Sequence, residues 1–148
     1  MNAKEILDVK GRKIFSISED ATVSAAVEEL ANFKIGLLII KNSRGDITGV
    51  ISERDIVQKI LHAKKETDKV RIKEIMTTKE NIVVAEESDD IQSLMNTMTE
   101  KKIRHIPIFR GAELTGVISI GDVVKNMLEI KDYEIKTLID YISGKYPG

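Results

Sequence analysis

Cysteine and tryptophan are absent from the 148 residues, and only two histidines (His62, His105), two prolines (Pro107, Pro147) and six Phe and Tyr residues are present. Without cysteine there is no disulfide, no thiolate metal site and no thiol nucleophile. No apolar run approaches the ~20 residues that a membrane helix needs. Charge of one sign is also lacking: 23 basic and 24 acidic residues leave a net −1. A nucleic-acid binder normally shows a basic excess or aromatics interleaved with arginine, and neither is found. The opening MNAKEILDVKGRK has no apolar core of the kind a secretory signal carries. A reducing, cytoplasmic setting is expected. What remains is the composition of an ordinary globular chain, 42% hydrophobic and 32% charged, at the usual length of one domain. The residue types that do covalent or metal chemistry are scarce, so no catalytic set and no metal site are expected.

The chain repeats itself. Residues 48–60, TGVISERDIVQKI, share seven of thirteen positions with residues 115–127, TGVISIGDVVKNM. Upstream, KIGLLII from Lys34 matches KIRHIPI from Lys102, and Lys4-Glu5-Ile6 matches Lys73-Glu74-Ile75. Two copies of this length are too few for a solenoid. They fit two halves related by approximate two-fold symmetry.

Each half carries the same pattern. A short apolar strand (Lys13–Ile17; Ile82–Ala85) precedes a helix whose apolar residues fall on one face: Val23, Ala26, Val27 and Leu30, then Ile91, Leu94, Met95 and Met98. Thr22 and Asp90 stand at the N-cap positions. A hairpin follows (Gly36–Lys41 to Ile47–Ser52; His105–Phe109 to Leu114–Ser119), and a second helix starts near Ser52 and Ser119. The predicted fold class is α/β (α+β), two β-α-β-β-α halves plus a C-terminal helix. The first repeat spans 4–63, a connector 64–72, the second repeat 73–129, and the helix and tail 130–148. Ile135, Leu138, Ile139 and Ile142 form a third helical stripe, ended by Gly144. It is expected to cover a sheet edge or to pack on a second copy.

The repeated Gly-Val-Ile-Ser-x-x-Asp has two physical readings. Ser52 and Ser119 can be helix caps, with Asp55 and Asp122 returning a bond to the cap's own N–H. Alternatively, the hydroxyl and carboxylate rim a ligand site. An ionised carboxylate only accepts hydrogen bonds and suits paired sugar hydroxyls, while a helix N-terminus suits phosphate. Gly49 and Gly116 permit close approach of backbone or ligand, or mark a bulge. Arg104 offers a planar fork to phosphate and His105 a second donor; either can also be a solvated strand start. Pro107 within a strand implies an edge or a broken ladder, with backbone groups left to read a base. Arg54 adds a cation beside one cap, where the other repeat has Gly121.

The doubled pattern with GVISERD and GVISIGD resembles the cystathionine-β-synthase (CBS) domain pair, or Bateman module. The likeness runs from about Lys4 to Met127 and takes in KEILD, KEIMT and KKIRHIPIF. The tail DYEIKTLIDYISG looks like the closing helix of small stand-alone CBS-pair proteins. The resemblance implies binding of an adenosyl ligand (AMP, ADP, ATP, NAD or S-adenosylmethionine) in clefts between the repeats, with the motif aspartate on the ribose hydroxyls. Carried onto this chain, the main cleft combines Ser52, Arg54, Asp55, Ile82, Val84, Arg104, His105, Ile106 and Pro107. A second combines Ile14, Ser16, Gly36, Leu37, Leu38, Ser119 and Asp122. It departs from the pattern, because Ile39 stands where proline is expected and no basic residue replaces Arg104 or His105.

The expected function is non-catalytic sensing of that ligand, reported to a separate effector protein. One alternative is a purely architectural dimerisation module, and a more remote one is a nucleotide-processing enzyme. A homodimer is expected, and neither a membrane nor a nucleic acid is an expected partner.

Overall fold

The hairpin signals pair as anticipated. Strand β2 (Leu37–Lys41) runs antiparallel to β3 (Ile47–Ser52), and β6 (His105–Arg110) antiparallel to β7 (Glu113–Ser119). Both hairpins are bulged at the same point of the repeat, between Ile40 and Lys41 and between Ile108 and Phe109. The structure is a computed structural model that describes residues 1–144. It divides into two compact units, one formed by Lys13–Val84 and the other by Met1–Arg12 together with the chain from Ala85 onward.

In the Lys13–Val84 unit, β1 (Ser16–Ser18) lies parallel to β2, and β4 (Thr77–Thr78) closes the other side in the order β1-β2-β3-β4. Helix α2 (Val23–Phe33) is capped by Thr22, whose hydroxyl accepts the Ala25 N–H at 3.2 Å. Its buried face, Val23, Ala26 and Leu30, packs with Leu38, Ile40 and Ile51 from the sheet. Val27, expected on that face, is 39% exposed. Helix α3 (Glu53–Ile56) continues as a π-helical turn, Val57–Leu61.

The other unit has a three-stranded sheet, β5 (Ala85–Glu86), β6 and β7, with β5 parallel to β6. Helix α5 (Ile91–Lys101) is capped by Asp90, which accepts the Ser93 N–H at 2.7 Å. Helix α6 (Ile120–Ile142) starts at Ser119. The first strands of the two halves are shorter than their apolar runs, because only the residues that find a ladder partner on the hairpin count as strand.

Two features were not visible in the repeat pattern. First, each repeat's lead-in helix is built into the other repeat's core. Helix α1 (Ala3–Lys10) contributes Ala3, Ile6 and Leu7 to the core with Ile91, Leu94, Met98, Ile106, Ile108, Ile118 and Val123. Helix α4 (Ile72–Ile75) contributes Ile72 and Ile75 to the core around α2. The matched strings Lys4-Glu5-Ile6 and Lys73-Glu74-Ile75 thus do the same work, each in the opposite unit. Second, the expected third helix is not separate. Residues 120–142 form one 23-residue helix, because nothing between Val123 and Ile142 breaks it: no Gly and no Pro occurs there. Ile135, Leu138, Ile139 and Ile142 remain 57–75% exposed, so this stripe covers no sheet edge among the described residues. No helix among the described residues is long and apolar enough to cross a membrane.

Candidate functional site

The motif glycines are where the lead-in segments come closest. A Cβ on Gly49 would lie 2.4 Å from the Thr77 carbonyl oxygen, and one on Gly116 would lie 2.6 Å from a Leu7 methyl. Both readings are realised at these positions: each glycine borders the bulge of its hairpin, and each is closely approached by the segment docked from the other repeat.

The following serines and aspartates form complete capping boxes in both units. Asp55 and Asp122 N–H donate to the Oγ of Ser52 and Ser119, each at 3.2 Å. Their Oδ2 atoms accept the Ser52 and Ser119 N–H in return, at 3.0 and 2.8 Å. Each carboxylate also holds a lysine. Lys59 Nζ lies 2.9 Å from Asp55 Oδ1 and donates to the Ile75 carbonyl at 2.7 Å. Lys10 Nζ pairs with Asp122 and donates to the Val117 carbonyl at 2.6 Å. The Thr77 hydroxyl donates to Asp55 Oδ1 at 3.2 Å. Burial opposes ionisation of Asp122, but the bonds from Lys10 and Ser119 outweigh it and hold the carboxyl below its ordinary range.

The first helical N–H in each motif is returned to the start of the preceding hairpin strand. Glu53 N–H donates to Gly36 O at 3.1 Å, and Ile120 N–H to Arg104 O at 2.8 Å. Strand register then sets Leu37 opposite Ser52 and His105 opposite Ser119. Within one unit, therefore, Ser52 and Asp55 stand with Gly36, Leu37 and Leu38; within the other, Ser119 and Asp122 stand with Arg104, His105, Ile106 and Pro107. Ile14, Ser16, Arg54, Ile82 and Val84 belong to the first unit; Ser16, Arg54 and Val84 are exposed and Ile14 and Ile82 half-buried.

At residue 107 the repeats part company. Its counterpart Ile39 donates its N–H to Phe15 O at 2.9 Å and pairs with Ser16, extending β1. Proline has no N–H to give, and the β5 register begins only at Ile108. Strand β6 is the middle strand by order, yet at Pro107 its ladder is broken on the β5 side, as a proline within a strand requires. The three residues Lys10, Lys59 and Thr77 escaped the sequence reading. Lys59 was accessible as an i,i+4 partner of Asp55, whereas Lys10 and Thr77 reach the carboxylates only through the exchange of lead-in segments.

Two β-α-β-β-α repeats, each ending on a capped Ser-x-x-Asp helix, define the architecture of a CBS-domain pair. The CBS-domain family model matches residues 4–62 and 72–129, and the chain belongs to that family. It is 30% identical over 129 residues to the mitochondrial CBS domain-containing protein CBSX3 of Arabidopsis thaliana, covering 86% of this chain and 63% of the plant protein. Among solved structures it is similar to a CBS-domain putative signal-transduction protein of Burkholderia ambifaria, with 32% identity, a TM-score of 0.81, and coverage of 87% of this chain and 95% of that one. The CBS-domain protein ATU1752 of Agrobacterium tumefaciens gives 31% identity and a TM-score of 0.80 over 86% and 99% of the two chains. CBS domains are in general regulatory, ligand-binding modules, and stand-alone CBS proteins are typically non-catalytic.

Proposed function

We propose that this chain binds an adenosyl ligand without transforming it, and that a partner protein reads the bound state. The ligand class is AMP, ADP, ATP, NAD or S-adenosylmethionine. The observation that carries this reading is the asymmetry of the two hairpin starts. Where one repeat has Gly36, Leu37 and a completed ladder at Ile39, the other has Arg104, His105 and the ladder break at Pro107. A guanidinium, an imidazole and an interrupted ladder at one strand start suit phosphate and a base edge. Asp55 and Asp122 supply acceptors for ribose hydroxyls, with Ser52, Arg54, Ile82, Val84 and Ile106 completing the main set. Ser119, Ile14, Ser16, Gly36, Leu37 and Leu38 belong to the second. Calorimetry with the five ligands is the test. At least one binds, Asp55→Ala or Arg104→Ala weakens it tenfold or more, and ATP incubated with the protein is recovered unchanged. Absence of binding by all five refutes the reading.

A homodimer through α6 accompanies it. Val124, Leu128, Lys131, Ile135, Leu138 and Ile142 follow 4-3-4-3-4 spacing, and all five apolar members are exposed. Ile135 at a with Leu138 at d is the pairing that favours two parallel strands, while Lys131 in the seam costs stability and fixes register.

A further inference from the structure

The carboxylate proposed to receive the ribose is already fully occupied. Asp55 takes four donors: the Ser52 N–H at 3.0 Å, the Ser52 hydroxyl at 3.2 Å, the Thr77 hydroxyl at 3.2 Å and the Lys59 ammonium at 2.9 Å. A carboxylate has about four lone-pair positions. A diol therefore enters only if donors leave. The Ser52 N–H is fixed by the helix start, while the Lys59 side chain is 41% exposed and hangs on rotatable bonds. Its departure costs least, because water can solvate the freed ammonium.

We propose that Lys59 is a built-in occupant of the ribose position at Asp55, so that ligand binding there is an exchange of ammonium for diol. The inference rests on the reading of Asp55 as ribose acceptor and adds its regulation. The same device recurs in the other unit from a different origin: Lys10 on α1, not a residue of the motif helix, pairs with Asp122 and with the Val117 carbonyl. The position matching Lys59 in that repeat is Asn126, whose amide bonds the Asp122 backbone carbonyl at 2.7 Å instead. Each lysine also grips a carbonyl across the junction with a lead-in helix, Ile75 O on α4 for Lys59 and Val117 O on β7 for Lys10 of α1. Release of the lysine on binding therefore loosens the docking of that helix, which gives a partner something to read.

Adenosine is the suitable probe, since it carries the diol and no phosphate that could recapture the ammonium. Titration of the full chain, followed by the amide resonances of Ser52 and Thr77, compares the wild type with Lys59→Met, Lys59→Gln and Lys59→Arg. Both uncharged variants should bind adenosine about three- to tenfold more tightly, the release of one partly exposed ion pair. Lys59→Arg should stay near the wild type, and 2′-deoxyadenosine should lose the gain. Equal or weaker adenosine binding by Lys59→Met and Lys59→Gln overturns the exchange while leaving the ligand class intact. Failure of the wild type and all three variants to bind any adenosyl compound overturns both.

Discussion

At the residue scale, the strongest constraint in the motif is steric. Gly49 and Gly116 were open to several explanations in the sequence, because a glycine inside a strand serves bulges, ligands and neighbours alike. Here the bulge beside each glycine and the lead-in segment packed on it both apply. The two positions differ in what a methyl group would strike: a backbone carbonyl at Gly49, but the end of a leucine side chain at Gly116. Gly49→Ala should therefore destabilise by about 2 kcal/mol or more and Gly116→Ala by less, both within the range of overpacking. Urea unfolding of the two variants checks the order; equal losses would show that Leu7 cannot yield. The serine and aspartate roles were better specified in advance, since a capping box is local chemistry between residues three apart.

Elements follow local rules where their partners are close in sequence. The caps at Thr22, Asp90, Ser52 and Ser119 and both hairpins stand where the residues placed them. The run of α6 from Ser119 through Ile142 differs from expectation because the repeat pattern stops near Met127 while helical propensity does not. Beyond Ile130 this helix has little of its own unit to lean on, and an isolated helix of that length is marginal in water. The proposed homodimer would supply the missing contact. Ile135→Asp with Leu138→Asp should convert a dimer to a monomer by light scattering at tens of micromolar, and should lower helicity by roughly the last three turns of α6. A wild-type monomer under those conditions contradicts the stripe's assigned role.

For the whole molecule, the exchange of lead-in helices decides how stability depends on pH. Ion pairs add to the buried face that docks α1: Arg12 bridges Asp8 and Glu87 at 2.7 Å each, and Lys10 pairs with Asp122. Hydrogen bonds from Arg12 lower the carboxyls of Asp8 and Glu87, and bonds from Lys10 and Ser119 outweigh burial to lower that of Asp122. Carboxyls depressed in the folded state contribute stability that is complete above their ordinary values of 3.8–4.5 and is lost as pH falls through the folded ones. Hydrogen exchange at stepwise lower pH, corrected for intrinsic rates, should show α1 amides losing protection below about pH 4; full protection of α1 at pH 3 would deny the link. The sequence by itself determined the two repeats, their order of strands and helices, the capped motif helices and the family, because each depends on periodicity and on residues within a turn or hairpin of one another. Tertiary structure alone decided which lead-in helix completes which core, what the motif glycines make room for, and which lysine holds each aspartate. Those contacts join segments up to about a hundred residues apart, where two near-identical repeats offer two near-identical partners. Only the packing of a whole core against one of them distinguishes the choices.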